Sequence, residues 1–175
     1  MMLVEQAYCD ALRIAFEFEH NGEVFYRQLI DKVTDPFAKK VLVFLADEEV
    51  EHTRKIVAFN DHLLGNGDFD IATECSLDLT DRIQKLVEDR MKSTEKGVEP
   101  LADDIDIYDI ALTMETRSYE LYEKALEEAE DERVETFFRF MVAEEQQHYD
   151  LLANSKKYLT DPAYYFAEYG GWIFG

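Results

Sequence analysis

Asp-Glu-Glu-Val-Glu-His at 47–52 and Ala-Glu-Glu-Gln-Gln-His at 143–148 share one core, Glu49-x-x-His52 and Glu145-x-x-His148, offset by 96 residues. Apolar residues recur around each at intervals of three and four: Leu42, Leu45, Ile56 and Phe59 about the first, Phe138, Met141, Val142, Tyr149 and Leu152 about the second. That interval is the period of an amphipathic helix. Glu49, His52, Glu145 and His148 lie on the apolar stripe itself, not opposite it. Two more carboxylates break the pattern in the same way. Glu19 follows Leu12 by seven and Phe16 by three and precedes Tyr26 by seven; Glu115 stands between Leu112 and Tyr119. An ionised carboxylate buried without a counter-charge is very unfavourable, so a stripe carrying four of them implies something that neutralises them.

The spacings repeat. Glu19 to Glu49 and Glu115 to Glu145 are both separations of 30 residues, and each earlier Glu has a tyrosine seven positions on, Tyr26 and Tyr122. Ala-Phe-Glu-Phe-Glu (15–19) matches Ala-Leu-Thr-Met-Glu (111–115). The chain reads as one helical hairpin used twice. The midpoint of the first pair is residue 34, inside Thr34-Asp35-Pro36; that of the second is residue 130, beside Asp131. The four carboxylates therefore sit at equal depth, roughly 22 Å from their turns at a helical rise of about 1.5 Å per residue.

Outward from these motifs, the periodicity predicts four long helices. The first spans about 3–32, with Tyr8, Leu12, Ala15, Phe16, Tyr26 and Leu29 inward. Thr34-Asp35-Pro36 supplies a stop, a cap and a first-turn proline. A second helix runs to Leu64 and ends at Gly65-Asn66-Gly67-Asp68. Residues from about 65 to 103 form a long crossover holding one shorter helix near 80–92, with Ile83, Leu86, Val87 and Met91 inward, closed by Gly97 and Pro100. The third long helix covers about 104–129, with Tyr108, Ala111, Leu112, Tyr119, Tyr122 and Leu126 aligned. Asp131 caps the fourth, which continues to about 158. The expected architecture is all-α: a four-helix bundle over residues 1–160 made of two helical hairpins joined by one long connection, the ferritin-like arrangement. Residues 161–175, rich in Tyr164, Tyr165, Phe166, Tyr169, Trp172 and Phe174, form an aromatic tail expected to pack on the bundle or a partner subunit.

Composition agrees and narrows the function. Seven glycines and three prolines in 175 residues favour long helices. A formal charge of −21 argues against nucleic acid or an anionic membrane surface as partner, because both need a basic face. Cys9 and Cys75 form no C-x-x-C pair, so neither a disulfide framework nor a thiolate zinc site is indicated. The first ten residues lack the basic-then-apolar order of a signal peptide, and no stretch is apolar enough to span a bilayer. These features point to the cytoplasm.

Two symmetric hairpins packed face to face would gather Glu19, Glu49, His52, Glu115, Glu145 and His148 into one cluster. Bundles with a two-metal carboxylate centre use this constellation, one Glu from each of two helices and Glu-x-x-His from each of the others. Four carboxylates offset the charge of two divalent ions and two imidazoles complete their shells. Iron is the favoured metal, with manganese or zinc as possible occupants. A single Glu-x-x-His would be weak evidence: Glu17 and His20 make one too, but share a polar face with Arg13, Asn21 and Arg27 and read as surface. His62 has no such partner and falls near a helix end. Glu48 and Glu144 stand behind the ligands or at the surface. Tyr26, Tyr119 and Tyr122 fit ordinary core packing, with Tyr26 and Tyr122 also able to bond ligand carboxylates from behind.

Through Glu19–Tyr26, Glu49-x-x-His52, Glu115–Tyr122 and Glu145-x-x-His148 the sequence resembles the rubrerythrin branch of the ferritin-like di-iron carboxylate superfamily, over nearly its whole length. The resemblance implies a cytoplasmic, often dimeric oxidoreductase whose reduced two-iron centre reacts with peroxide or dioxygen, fed by an external electron donor. Two departures argue against efficient peroxidase turnover. Two cysteines cannot build the four-cysteine rubredoxin-like iron site of full-length rubrerythrins, and Ser118 stands where they carry an additional Glu. Bacterioferritin-like proteins have the same six ligands, so ferroxidase and iron storage is an alternative reading. A non-catalytic metal-binding bundle is another.

Overall fold

A computed structural model of the chain describes residues 2–75, 82–83, 85–86 and 102–161. Four long helices dominate: α1, Met2–Ile30; α2, Pro36–Leu63; α3, Ala102–Glu127; and α4, Glu132–Thr160. No strand occurs among the described residues. α1 packs along α2 and α3 along α4, and the two hairpins meet through α1 against α3 and α2 against α4.

The helix ends are set by local chemistry. Asp35 adopts an extended backbone, φ −68° and ψ 126°, and its carboxylate accepts from the backbone N–H groups of Phe37 (2.9 Å) and Ala38 (2.8 Å), satisfying two donors that a helix start leaves open. Pro36, in the first turn, needs no such partner. α2 stops where Gly65 takes φ +74°, a left-handed conformation that only glycine enters without strain. Asp131 caps α4, accepting from Arg133 N at 2.9 Å.

Two long-range ties orient the hairpins. Asp104, in the first turn of α3, accepts from Thr34 N (2.8 Å) and Thr34 Oγ1 (2.7 Å) in the α1–α2 turn. Tyr8, near the start of α1, accepts from the N–H groups of Glu130 (2.8 Å) and Asp131 (3.1 Å) in the α3–α4 turn. The two turns therefore lie at opposite ends of the bundle, and the crossover travels its length. Phe69 folds back onto Phe59 and Phe137, followed by one helical turn at Ile71–Glu74. Ile83 and Leu86 are helical and partly buried against the core, as the crossover pattern predicts. Val87, Met91, Gly97, Pro100 and the aromatic tail from 162 onward lie outside the described residues.

The apolar core forms two clusters. One contains Tyr26, Leu29, Phe37, Leu42, Tyr108 and Leu152; the other, Leu12, Ile56, Phe59, Tyr122, Phe137 and Phe138. The polar stripe residues lie between them. Phe16 and Tyr149, expected inward, are exposed at 36% and 38%. The buried seam is narrower than the periodicity suggested: α1 buries Leu12, Ala15, Glu19, Gly22, Tyr26 and Leu29, alternating three and four, and Phe16 flanks that line. Tyr149 flanks the equivalent line through Glu145, His148 and Leu152 on α4. Val142, Leu112, Tyr119 and Leu126 are half-buried for the same reason.

Candidate metal centre

All six predicted residues come together in the middle of the bundle. Glu19, His52, Glu115, Glu145 and His148 have no exposed surface and Glu49 almost none. α1 contributes Glu19, α2 Glu49 and His52, α3 Glu115, and α4 Glu145 and His148. The three-residue step from Glu to His keeps both on one helix face, which is why each motif presents a carboxylate and an imidazole to the same space.

His52 Nδ1 lies 3.0 Å from Glu19 Oε2, 3.2 Å from Glu145 Oε1 and 4.0 Å from Glu49 Oε2. His148 Nδ1 lies 3.6 Å from Glu115 Oε2. The two imidazoles stack with centroids 5.2 Å apart. Three overlapping triads each bring one donor atom per residue within 4.8 Å of the others: Glu19, Glu49 and His52; Glu49, Glu115 and His148; His52, Glu145 and His148. Glu49 belongs to two of them, and so do both histidines.

The residues fit divalent cations. Glu115 Oε2, Glu145 Oε2 and both nitrogens of His148 are buried without a hydrogen-bond partner, whereas buried polar atoms in native proteins are almost always satisfied. The donor set, carboxylate oxygen with imidazole nitrogen, suits iron, manganese or zinc. Electrostatics carry the same mark. Burial, then the charge of Glu19, pushes Glu49 well above the usual carboxylate range. Burial and Glu19 lift Glu145 to about 8. For Glu19 burial acts upward, but a hydrogen bond with Glu49 and the charge of His52 outweigh it and bring the group to about 2. Burial would lower His52, yet Glu19, Glu144 and Glu145 hold it well above its ordinary value. Protons crowd where positive charge is wanted.

The tyrosines act across the hairpins. Tyr26 on α1 donates to Glu115 Oε1 on α3, and Tyr122 on α3 donates to Glu19 Oε1 on α1. Both are buried in the core as well, so the two roles read from the sequence coexist. Tyr119 instead donates to Glu123 near the surface, at 3.3 Å. His20 is exposed and faces Glu23 at 3.9 Å, as expected of a surface residue. Half-buried His62 stands at the end of α2 and accepts from Phe69 N at 3.4 Å.

Glu48 and Glu144, which the sequence left either behind the clustered residues or at the surface, are both buried, and so is Ser118; Lys55, also buried, and Gly22 escaped the sequence reading. Gly22 packs directly against the Glu49 carboxylate. Their positions carried a signal: Glu48, His52, Lys55 and Phe59 follow one another at four, three and four, and Gly22 falls on the seam between Glu19 and Tyr26.

A family model for rubrerythrin matches residues 10–156. No curated protein and no solved structure matches the chain. The match spans both hairpins, the crossover and all six clustered residues, and with four helices around a buried carboxylate–histidine cluster the chain belongs to the rubrerythrin family of ferritin-like di-iron carboxylate proteins.

Proposed function

We propose that the chain is a two-iron oxidoreductase that reduces peroxide or dioxygen with electrons from an external donor. The observation that carries this reading is the sealed cluster of four carboxylates and two imidazoles with unpartnered donor atoms. In it Glu19, Glu49 and His52 would hold one ion and Glu49, Glu115 and His148 the other, with Glu145 grouped with both histidines. When bound, the iron pair supplies the electron storage and Lewis acidity that O–O bond reduction requires. Balance for peroxide needs two electrons and two protons per molecule, giving two waters.

The chain's own residues supply order and exclusion. Tyr26 and Tyr122 hold Glu115 and Glu19 from behind, each tying one hairpin to the other. The two apolar clusters keep bulk water from both ends of the site. A cavity of about 240 Å³ between α3 and α4, lined by Thr116, Tyr119, Gln146 and Tyr149, reaches Glu115 and suits a small substrate. Glu115 closes its floor with no exposed surface, which favours small molecules over bulky ones.

A homodimer in the cytoplasm completes the reading. It is supported by exposed Val43, Val50 and Val57 on α2 and Leu64 at its C-cap, seven apart, and by two free cysteines. No described helix is long and apolar enough to cross a membrane.

Elemental analysis of the iron-loaded protein should return two ions per chain. Stopped-flow mixing of the anaerobic ferrous protein with peroxide should give fast oxidation and a ferric absorption band. A protein that binds iron yet stays ferrous for minutes under peroxide is not such an enzyme, and a cage-sized particle in light scattering would favour iron storage.

A further inference from the structure

The internal repeat is broken on one outer face. On α2 the exposed Val43, Val50 and Val57, continued by Leu64 at the C-cap, form an apolar line at intervals of seven. At the offset of 96, α4 carries Arg139, Gln146, Ala153 and Thr160 instead. The two helices hold equivalent places in the bundle, so the fold itself does not require an apolar line there. Beside it on α2 runs a second line at the same interval, Lys40, Asp47, Arg54 and Asp61, all exposed. Apart from Pro36 and Lys39, these two lines contain every exposed residue of α2. The places of the second line on α4 are taken by Thr136, Ala143, Asp150 and Lys157, which do not alternate in charge.

An interval of seven keeps a stripe turned toward a partner helix, and the order of charges selects the partner. Two copies of α2 laid antiparallel about Val50 set Lys40 opposite the partner's Asp61 and Asp47 opposite the partner's Arg54. Symmetry makes each of these pairs twice. In the same register, to within one residue, Val50 meets the partner's Val50 and Val43 meets the partner's Val57. A parallel arrangement would set every charge against its own copy, which is unfavourable. Such self-complementarity is what a two-fold interface demands of a single surface. Asp47 and Arg54 have exposed partners within the chain, Arg27 at 3.5 Å and Glu51 and Glu74 at 2.9 Å. Exposed pairs of this kind are weak and exchange easily, so the charges set orientation more than affinity. Apolar contact comes from the valine line, roughly 30 Å long from Val43 to Leu64 at about 1.5 Å per residue. The cavity of about 350 Å³ lined by Phe16, Val57 and Leu64 lies beside it, where the partner's Val43 arrives.

We infer that α2 is a self-recognition helix, packing antiparallel against α2 of a second copy of this chain, with Val50 at the two-fold axis and the charged line fixing the register. The inference rests on the homodimer reading and adds to it the face, the direction and the paired residues.

The test is a charge exchange read by sedimentation equilibrium of the full chain at one fixed, moderate ionic strength. The dimer dissociation constant is measured for the wild type, Lys40→Asp, Asp61→Lys and the variant carrying both changes. Circular dichroism checks that all four keep the same helix content. Either single change sets like charges against each other at both ends of the seam and should weaken the dimer about tenfold. The double variant exchanges the two signs and should return to within about threefold of the wild type. In a parallel seam each position meets its own copy, so no such rescue would occur. A wild-type dimer that neither single change weakens uses another face or direction, which overturns the inference while the homodimer stands. Weakening by both single changes without recovery in the double variant overturns the antiparallel register. A monomeric wild type overturns the inference and the homodimer reading together.

Discussion

Gly22 sits in the interior of α1, where glycine is less favourable than alanine by about 1 kcal/mol, and Glu49 is the reason. A Cβ at this position would meet Glu49 Cδ at 3.1 Å and its two oxygens at 3.2 and 3.3 Å. Gly22→Ala should therefore separate folding from binding. The helix gains what the glycine lost while Glu49 is displaced, so urea unfolding of the metal-free protein should stay within about 1 kcal/mol of wild type. Zinc affinity should drop about tenfold, as for other residues that orient a ligand; a tight-binding Gly22→Ala protein would show that Glu49 does not need this space. The same crowding sets the pH response. A carboxyl raised on folding, as Glu145 is by burial and by Glu19 to about 8, stabilises the native state fully below its unfolded pKa and loses that contribution as pH rises through 8. Glu49 and His52, also raised, act in the same direction. Glu19, lowered to about 2 against the effect of burial, contributes above its unfolded value and loses its share only as pH falls toward 2. The metal-free protein should thus be more stable in urea at about pH 5.5 than at about pH 8, and a profile that rises over that span would contradict the crowded site. The clustered residues themselves were legible one at a time, because a polar side chain on an apolar stripe is conspicuous. Gly22 and Lys55 were not, since their meaning lies in a neighbour on another helix or in burial that the seam alone decides.

At the scale of the elements, the two capping aspartates differ in surroundings. Asp35 is 1% exposed and holds two backbone N–H groups at the start of α2. Asp131 is partly exposed, bonds one, and is braced by Arg133 at 2.6 Å. Loss of an N-cap is worth roughly 0.5–2 kcal/mol, and donors left buried cannot turn to water instead. Asp35→Ala should sit at or above the upper end of that range and Asp131→Ala near the lower, measured as shifts in the urea midpoint. Equal losses would mean that burial of the first cap is immaterial. Both helix starts were readable from residues in immediate sequence, Thr34-Asp35-Pro36 and Asp131, because capping is local. The Thr34–Asp104 tie was not readable, because it joins residues that meet only after the crossover has brought α3 back to the α1–α2 turn.

For the whole molecule, the polar centre is a layer between two apolar clusters, and the outer face of α2 carries a second, exposed line of apolar residues at heptad spacing. A cavity of about 350 Å³ between α1 and α2, lined in part by Phe16, Val57 and Leu64, adjoins that line. On the dimeric reading, Val50→Glu with Val57→Glu should convert a dimer into a monomer in light scattering while leaving zinc stoichiometry at the wild-type value; a wild type that is already monomeric removes the dimer. The four long helices, their pairing into two equal hairpins and the six polar residues at one depth all follow from the spacing of residues along the chain. Helical periodicity is a local property, and an internal repeat with equal 30-residue spacings transfers it from one hairpin to the other. Packing of the helices against one another set how wide the buried seam is, which leaves Phe16 and Tyr149 at the surface. It alone joined Tyr26 to Glu115 and Tyr122 to Glu19, and it alone put Lys55 over Phe140 and Glu144 behind His52. Those contacts link helices far apart in the chain, and their geometry depends on how closely the hairpins pack, which no spacing along one helix encodes.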